Sequence, residues 1–404
     1  MTFLKLTLKT IIKYGPCIMT ARLRPCLAPL ALVALVSPPG CGEETPDFDP
    51  IAREVVLHYG ALVHATYVDS RASAEAMAAE IDAFLAAPSA AGLEAARAAW
   101  IAARAEYTPS EAFRLYGGPI DEVESFINAW PLDEAYIDYV EGAPESGIIN
   151  DPVAHPVIDA ALLRAANEAA GEDSIATGWH AIEFLLWGQD LHDDGPGDRP
   201  YTDYVTDGTG TAENQGRRAE YLRVVTAMLI EDLTTVTDAW APDQDNYRRD
   251  FEARPPRDAI TDVLRGVASL SGVELAADRL SVAYVSLEQE DEHSCFSDNT
   301  HADFMADARG IAAVWKGEHG DLEGPGLSSL VAAFDPALDR EVTDAIDAFV
   351  AACDAIPAPF DQAILADPGR AKVGAAIDAV RTQTEALVSV ADRFEITLNL
   401  PSAE

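Results

Sequence analysis

The sequence predicts an all-α fold. Two alanine-rich runs, 74–87 and 93–105, favour helix because alanine has the highest helix propensity of all residues. Few stretches alternate apolar and polar residues in the two-residue period of a half-buried β-strand. The chain has 404 residues, which is long enough for two domains that each bury a core of their own.

The N-terminal segment is typical of an export signal. Arg22 and Arg24 precede the apolar run 27–36, which is too short to span a bilayer and has the length of a signal-peptide core. Because Met19 begins a segment of ordinary signal length, we interpret residues 1–18 as an over-extended start. The mature protein is therefore expected to leave the cytoplasm.

A lipoprotein cleavage box is the predicted end of this signal peptide, which covers residues 1–41. Gly40 stands directly before Cys41, as in bacterial lipoproteins, although a proline occupies a position where a small aliphatic residue is usual. We therefore expect a lipid at Cys41 that anchors the protein to a membrane. Cleavage by the ordinary signal peptidase is the alternative.

The net charge limits the classes of partner. The chain carries 28 basic and 68 acidic side chains, for a formal charge of −40. This charge argues against nucleic acid or an anionic membrane face as a partner, and it raises the local concentration of cations. For most of these carboxylates, solubility is the simpler explanation.

Helical periodicity predicts the remaining elements. The predicted helices are, in chain order, 50–87, 91–115, 121–141, 155–170, 173–190, 219–240, 258–293, 301–316, 336–354 and 371–395. The polar stretch 189–215 interrupts them, and so long a loop is either functional or mobile. Its His192-Asp193-Asp194 run either assists a cation site or is solvated. The sequence Arg254-Pro255-Pro256-Arg257 is the predicted domain boundary.

The helix predicted over 173–190 contains a candidate pair of metal ligands. His180 and Glu183 are three residues apart, so a helix would place both side chains on one face. Gly178 weakens a helix relative to alanine, which indicates that another backbone or a ligand comes close there. The alternative is a core histidine that hydrogen-bonds a neighbouring glutamate.

A second candidate segment covers residues 287–303. It contains six carboxylates, two imidazoles and one thiol. Like charges so close together repel one another, and a bound cation or a nearby arginine would relieve that repulsion. The run Ser294–His301 supplies short polar side chains of the kind found in structured site loops. The alternative is a solvated acidic face that leads into a loop.

A third candidate segment begins at Trp100. Arg104, Tyr107 and Glu111 follow it at helical spacing, although Pro109 is expected to bend the helix. In the functional interpretation, Glu111 is a further carboxylate near a metal and Arg104 orients it. In the structural interpretation, the two residues form a buried ion pair that caps a core tryptophan.

Two cysteines remain after the predicted signal peptide and lipidation site, Cys295 and Cys353. In an oxidising compartment they either form a disulfide or remain as two separate buried thiols. A thiolate metal ligand at Cys295 is a third interpretation.

Together, the three segments resemble the imelysin-like family, and within it the iron-regulated protein A branch. The residues that carry this resemblance are the Gly178-x-His180-x-x-Glu183 motif, the run 288–301 and the segment from Trp100 to Arg114. The resemblance extends from about residue 50 to the end of the chain.

The resemblance implies an architecture and a location. It implies an all-α protein of two helical-bundle domains, here 50–253 and 258–400, with the Gly-x-His-x-x-Glu motif in the cleft between them. A weak likeness between the two halves suggests a duplicated bundle. The resemblance also implies export to the periplasm or outer membrane, where a lipoprotein would be anchored, and a part in iron uptake.

The same family includes both metallopeptidases and iron binders, and the donor set favours iron. A donor set of carboxylate oxygens and imidazoles suits iron, and it is a less specific match for zinc. Known zinc-peptidase helices carry a second histidine, whereas Phe184 follows Glu183 here. The expected metal ligands are His180, Glu183, Glu111, Glu292, His293, Asp298 and His301, with Arg104, Tyr107 and Gly178 in support.

We therefore expect a lipid-anchored iron binder that acts without turnover. One alternative is a zinc metallopeptidase in which Glu183 is a ligand or the catalytic base. A second alternative is an interaction scaffold for an outer-membrane iron transporter, in which the motif is structural.

Overall fold

Helices make up almost all of the regular secondary structure in the computed structural model, which describes residues 46–192 and 195–400. In this part of the chain the only strands are β1 (Glu318–His319) and β2 (Leu322–Glu323), which form a small antiparallel hairpin. The predicted all-α class is confirmed. The predicted signal peptide and Cys41 lie outside the described residues.

The described residues contain sixteen α-helices, and a long segment, 188–214, joins the seventh to the eighth. The first eight are α1 (Phe48–Ala86), α2 (Ala90–Tyr107), α3 (Glu124–Ile127), α4 (Glu134–Ile137), α5 (Gly147–Asn150), α6 (Ala160–Ala166), α7 (Gly178–Trp187) and α8 (Gln215–Ala239). The next eight are α9 (Tyr247–Ala253), α10 (Pro256–Ser269), α11 (Val282–Ser286), α12 (Thr300–Lys316), α13 (Leu327–Phe334), α14 (Pro336–Asp354), α15 (Phe360–Leu365) and α16 (Gly369–Arg393). A π-helical segment, Leu270–Ser281, joins α10 to α11. The 3-10 helices are Thr108–Phe113, Pro119–Glu122, Tyr201–Tyr204 and Gln289–Asp291.

The long helix α1 organises the first half of the fold. It contains 39 residues, and the side chain of Asp47 caps its first turn by accepting a hydrogen bond from the Asp49 amide. One face of α1 packs against α2, and it also contacts α8. Tyr59 and Tyr67 on this helix are buried against the ring of Phe113, so the 3-10 turn that follows α2 is fixed to the core.

Helix α7 is buried along its whole length. Gly178, its first residue, has a φ of +86°, and a Cβ atom there would lie 2.4 Å from the carbonyl oxygen of Ile127. Any larger residue would clash with that backbone, so the predicted close approach is confirmed. This contact fixes the start of the helix two residues before His180.

Several predicted helices are shorter than expected, above all those over 121–141 and 258–293. Residues 121–141 form the end of the 3-10 helix Pro119–Glu122 and the short helices α3 and α4, because Pro131 lacks the amide hydrogen that a continuous helix needs there. The helix predicted over 258–293 changes to π-helical geometry at Leu270 and ends before Leu287, whose φ is +64°. Most of the acidic segment 287–303 is therefore a loop that leads into α12.

The described residues, 46–192 and 195–400, belong to one compact unit. The predicted division near residues 254–257, between α9 and α10, stays a prediction. Within the described ranges, none of the helices has the length and hydropathy needed to cross a membrane.

Cys295 and Cys353 are buried, and they form no disulfide within the described part of the chain. Of the three interpretations, the structure matches two separate thiols. Burial raises the pKa of the Cys295 thiol well above its usual value, and Glu183 raises it further. This environment disfavours a thiolate ligand.

Candidate metal centre

Glu183 is held by hydrogen bonds to both of its carboxyl oxygens. One oxygen lies 2.9 Å from Nδ1 of His180. The other accepts hydrogen bonds from the amide and the hydroxyl of Ser297, at 3.0 and 2.6 Å. Burial raises the pKa of Glu183 to about 8, although Ser297 favours the charged form. This carboxyl group is placed to orient the imidazole, in the manner of a carboxylate behind a metal-bound histidine.

The other ring nitrogen of His180 has no partner. Nε2 is buried and makes no hydrogen bond to any residue that the structure describes, and the residue as a whole is 1% exposed. Burial lowers the pKa of His180 well below its usual value, and Arg104 lowers it further, so the ring is neutral. A neutral imidazole with an unpaired ring nitrogen is the form that binds metal ions.

His293 lies beside His180. The two ring centroids are 4.8 Å apart, with an angle of 62° between the planes. Nδ1 of His293 is 3.1 Å from a carboxyl oxygen of Asp303. Burial lowers the pKa of His293, and Arg279 and Arg104 act in the same direction. Two neutral imidazoles, each backed by a carboxyl group, therefore face the same region of the core.

Asp303, in the first turn of α12, holds the loop that carries His293. Its carboxyl group accepts hydrogen bonds from the hydroxyl of Ser294 at 2.6 Å and from the side-chain amide of Asn299 at 3.2 Å. The guanidinium of Arg104 lies 3.4 Å from both of its oxygens. Arg104 is fully buried, so this ion pair is shielded from water and fixes α2 against α12.

Glu111 lies in a network of arginines. It pairs with Arg114 at 2.9 Å and with Arg279, and it accepts a hydrogen bond from Asn128 at 2.9 Å. Burial alone would raise the pKa of Glu111, but Arg279 and Arg114 outweigh burial and lower it to about 2. Asn128 in turn accepts a hydrogen bond from Arg104, so this network is continuous with the one at Asp303.

Comparison with known proteins assigns the chain to a family. The family model described as Imelysin matches residues 63–387, which is most of the chain. This chain belongs to the imelysin family. The resemblance expected from the three segments is confirmed.

A curated relative of this imelysin is the iron-regulated protein A of Synechococcus elongatus. The two sequences are 26% identical over 344 residues, which cover 82% of this chain and 81% of the relative. This imelysin is therefore related to a protein named for its regulation by iron.

Two solved structures share the fold of this imelysin. One is described as an iron-regulated protein A precursor from Parabacteroides distasonis, with a TM-score of 0.66 and 21% identity, over 87% of this chain and 97% of that one. The other is an imelysin-like protein from Psychrobacter arcticum, with a TM-score of 0.60 and 14% identity, over 88% of this chain and 99% of that one. These likenesses support the helical fold.

The structure brings together only part of the predicted ligand set of this imelysin. His180, Glu183 and His293 are neighbours, whereas Glu111 is paired with arginines. Within residues 46–192 and 195–400, no group of three or more His, Cys, Asp or Glu side chains has the spacing that a single metal ion requires. The complete seven-residue ligand set stays a prediction.

The remaining predicted residues occupy different environments. Glu292 is fully buried and Asp298 is half-buried, and burial is the largest cause that raises the pKa of each carboxyl group. His301 is half-buried, and its Nδ1 atom has no hydrogen-bond partner. Tyr107 is fully buried with its ring 5.5 Å from that of Trp179, the residue before His180, so it supports α7 by packing.

Four residues that complete the arrangement carry no distinct signal in the sequence. Ser297 and Asp303 lie within the acidic segment, and their short polar side chains were noted only as a group. Asn128 and Arg279 lie in stretches without a recognisable motif. A buried arginine on a segment that changes helical geometry has no marker in the sequence alone.

Proposed function

We propose that this imelysin-family protein is an exported iron binder that acts in iron acquisition without turnover. Its family and its relative make it an iron-related imelysin-like protein. The observation that supports a binding role is the unpartnered Nε2 atom of His180. A buried polar atom without a partner costs about 1–3 kcal/mol, so a ligand at this nitrogen would remove a penalty.

His180 and His293 are the residues that would hold the iron cargo. Iron accepts imidazole nitrogen together with hard oxygen donors. Two imidazoles leave further coordination positions, which water or the oxygen atoms of a ferric chelate would occupy. Glu183 and Asp303 would orient the two rings through Nδ1, and such carboxylate partners strengthen the ligand.

This arrangement gives less support to a zinc peptidase. A catalytic zinc site has three protein ligands and an open position. Both oxygens of Glu183 are already occupied by hydrogen bonds from His180 and Ser297. In its described conformation Glu183 is therefore a positioning residue and not a free base.

The experiment that tests this proposal is a calorimetric titration of the metal-free full chain. The titrants are ferric ion as its citrate chelate, ferrous ion without oxygen, and zinc. The variants are His180→Gln and, as a matched control, His192→Gln in the exposed loop. Circular dichroism establishes that each variant is folded.

We expect wild type and His192→Gln to bind iron equally and His180→Gln to bind about 100-fold more weakly or not at all. Equal binding by both variants would show that the motif is structural, as in a scaffold for an outer-membrane iron transporter. Hydrolysis of casein that needs zinc and disappears in Glu183→Gln would instead establish the zinc peptidase.

We also propose that the mature chain is anchored to the outer membrane through a lipid at Cys41. A radiolabelled fatty acid supplied to the expressing cells should appear in wild type and be absent from Cys41→Ser. An unlabelled wild-type protein with a free N-terminus would instead show cleavage by the ordinary signal peptidase.

A further inference from the structure

The indole ring of Trp130 lies against the candidate metal centre. Its centroid is 5.8 Å from that of the His293 ring, and the two planes are nearly perpendicular, at 79°. Aromatic rings prefer this edge-to-face arrangement. Trp130 is half-buried, whereas His293 and His180 are 2% and 1% exposed. The Trp130 side chain therefore contacts both the solvent and an imidazole of the site.

The side chains that hydrogen-bond the two imidazoles are all buried. Glu183 contacts His180, while Arg104 and Asp303 contact His293. Arg104 and Asp303 also form an ion pair with each other at 3.4 Å, away from water. Of all these neighbours of the two rings, only Trp130 reaches the solvent.

The segment that carries Trp130 is fixed at both of its ends. At the first end, the side chain of Asn128 donates a hydrogen bond to Glu111 at 2.9 Å and accepts one from Arg104. At the second end, the backbone amide of Asp133 donates to the carbonyl oxygen of Asp173 at 2.7 Å. Both ends are thus attached to the buried parts of the fold.

The stretch between these two ends, residues 129–132, is held less firmly. We call it the cover segment. It lies between α3 and α4, and its backbone makes no hydrogen bond to any other described residue. Leu132 packs partly against the core, whereas Pro131 is exposed. Segments with few buried contacts and an unbonded backbone open at a lower free-energy cost than packed helices.

We infer that the cover segment is the gate through which a ligand reaches His180 and His293, and that the Trp130 ring closes it. This inference rests on the proposed function, which supplies the ligand. Because Nε2 of His180 is buried, a ligand can reach it only when a neighbouring group moves. Movement of Trp130 would break a ring contact and no backbone hydrogen bond of its segment, whereas movement of Arg104 or Asp303 would break a buried ion pair.

The test measures how accessible the imidazoles are when no iron is present. Diethylpyrocarbonate acylates neutral imidazole nitrogens, and mass spectrometry of the digested full chain gives the reaction rate at each histidine. The exposed His192 is an internal reference. The variants are Trp130→Ala and Trp130→Leu, which remove the ring, and Trp130→Phe, which keeps an aromatic ring.

The matched control is Tyr201→Ala, which removes a half-buried aromatic side chain from the 3-10 helix Tyr201–Tyr204. Circular dichroism establishes that each variant is folded. Trp130→Leu keeps an apolar side chain at this position, so it replaces Trp130→Ala if that variant does not fold.

In wild type, His180 and His293 should react at least about 100-fold more slowly than His192, because their reaction requires opening. Trp130→Ala and Trp130→Leu should raise the rates at both imidazoles at least about threefold through loss of the ring contact. Trp130→Phe and Tyr201→Ala should keep the wild-type rates, and the rate at His192 should not change in any variant.

Three results would overturn the gate. The first is an unchanged rate at His180 and His293 when the Trp130 ring is removed. The second is an equal rise in Tyr201→Ala, which would show a general loosening of the fold. The third is a wild-type protein whose buried imidazoles react as fast as His192.

The acylation assay separates this inference from the iron proposal, because it contains no iron. Faster acylation in Trp130→Ala, together with no iron binding by wild type, would support the gate and refute the iron cargo. Iron binding that depends on His180, together with unchanged acylation in Trp130→Ala, would support the cargo and refute the gate.

Discussion

Two buried polar clusters of this chain differ in how completely they are paired. At the first, Asp138 is fully buried and accepts hydrogen bonds from Arg199 at 2.6 Å, from Arg218 at 2.6 and 2.8 Å and from Asn150 at 3.1 Å. At the second, His180 uses Nδ1 and leaves Nε2 without a partner.

This difference in pairing indicates which cluster stabilises the fold and which is the candidate ligand site. Both oxygens of Asp138 accept two hydrogen bonds each, so a ligand would have to displace an arginine; Nε of Arg199 is the unpaired side-chain atom there. At His180 a ligand would displace nothing. The pairing of buried atoms, more than their burial, therefore distinguishes a structural network from a candidate site.

The largest expected effect is at Asp138. Replacing it with alanine leaves the buried guanidinium of Arg218 without its carboxylate partner and that of Arg199 with only the longer contact to Asp203 at 3.4 Å. We expect this loss to cost about 3–5 kcal/mol of unfolding free energy. Urea denaturation followed by circular dichroism measures this cost. Asp354→Ala, at an exposed position, should change stability by no more than about 0.5 kcal/mol. A loss below about 1 kcal/mol in Asp138→Ala would contradict the structural role.

Asp303→Asn should weaken iron binding by about 10–100-fold, because it removes the carboxylate behind Nδ1 of His293. Calorimetric titration of ferric citrate gives the affinity. Asp354→Asn is the control for the loss of one charge. An unchanged affinity in a folded Asp303→Asn protein would mean that His293 is not a ligand.

Lowering the pH should remove the stability that the Asp138 carboxylate contributes. Burial raises its pKa, but Arg199 and Arg218 outweigh burial and lower it to about 2. A carboxylate with a lowered folded-state pKa stabilises the protein above its unfolded pKa of about 3.9 and loses that contribution as the pH falls through about 2.

The stability difference between wild type and Asp138→Asn should therefore stay constant above about pH 5 and shrink by about 2 kcal/mol toward pH 2. Urea denaturation at a series of pH values measures it. A stability difference that grows as the pH falls would show that the folded protein does not lower the pKa of Asp138.

The smallest expected effect is at Ser297. Replacing it with alanine removes the hydroxyl that lies 2.6 Å from Glu183, while the backbone amide at 3.0 Å remains. We expect a loss of about 1 kcal/mol of stability and at most a few-fold change in iron affinity. Thermal unfolding and the same titration give both values. A complete loss of binding would indicate that the hydroxyl itself contacts the iron.

The sequence predicted the helix that carries the motif but not the partners of every residue. The helix predicted over 173–190 is present as α7, and the predicted close approach at Gly178 is made by the backbone of Ile127. Glu111 pairs with Arg279, which is 168 positions away in the sequence. Such a pairing depends on tertiary packing, so the sequence could not decide between a metal ligand and an ion pair.

The acidic segment shows the same limit. The ligand prediction treated Glu292 and His293 as equivalent, yet the loop directs them to different places. The prediction assumed that the preceding helix continued to 293, whereas α11 ends at Ser286. Only the backbone after that point determines which side chains meet His180.

The contact between Glu183 and Ser297 joins residues that are 114 positions apart. A newly made chain therefore lacks the proposed site until its central and later helices have packed together. An unfolded chain could capture iron only weakly and without selectivity, since the orienting groups are not yet near the imidazoles. Iron binding would thus require complete folding. Iron added during refolding should bind no earlier than the last slow folding step.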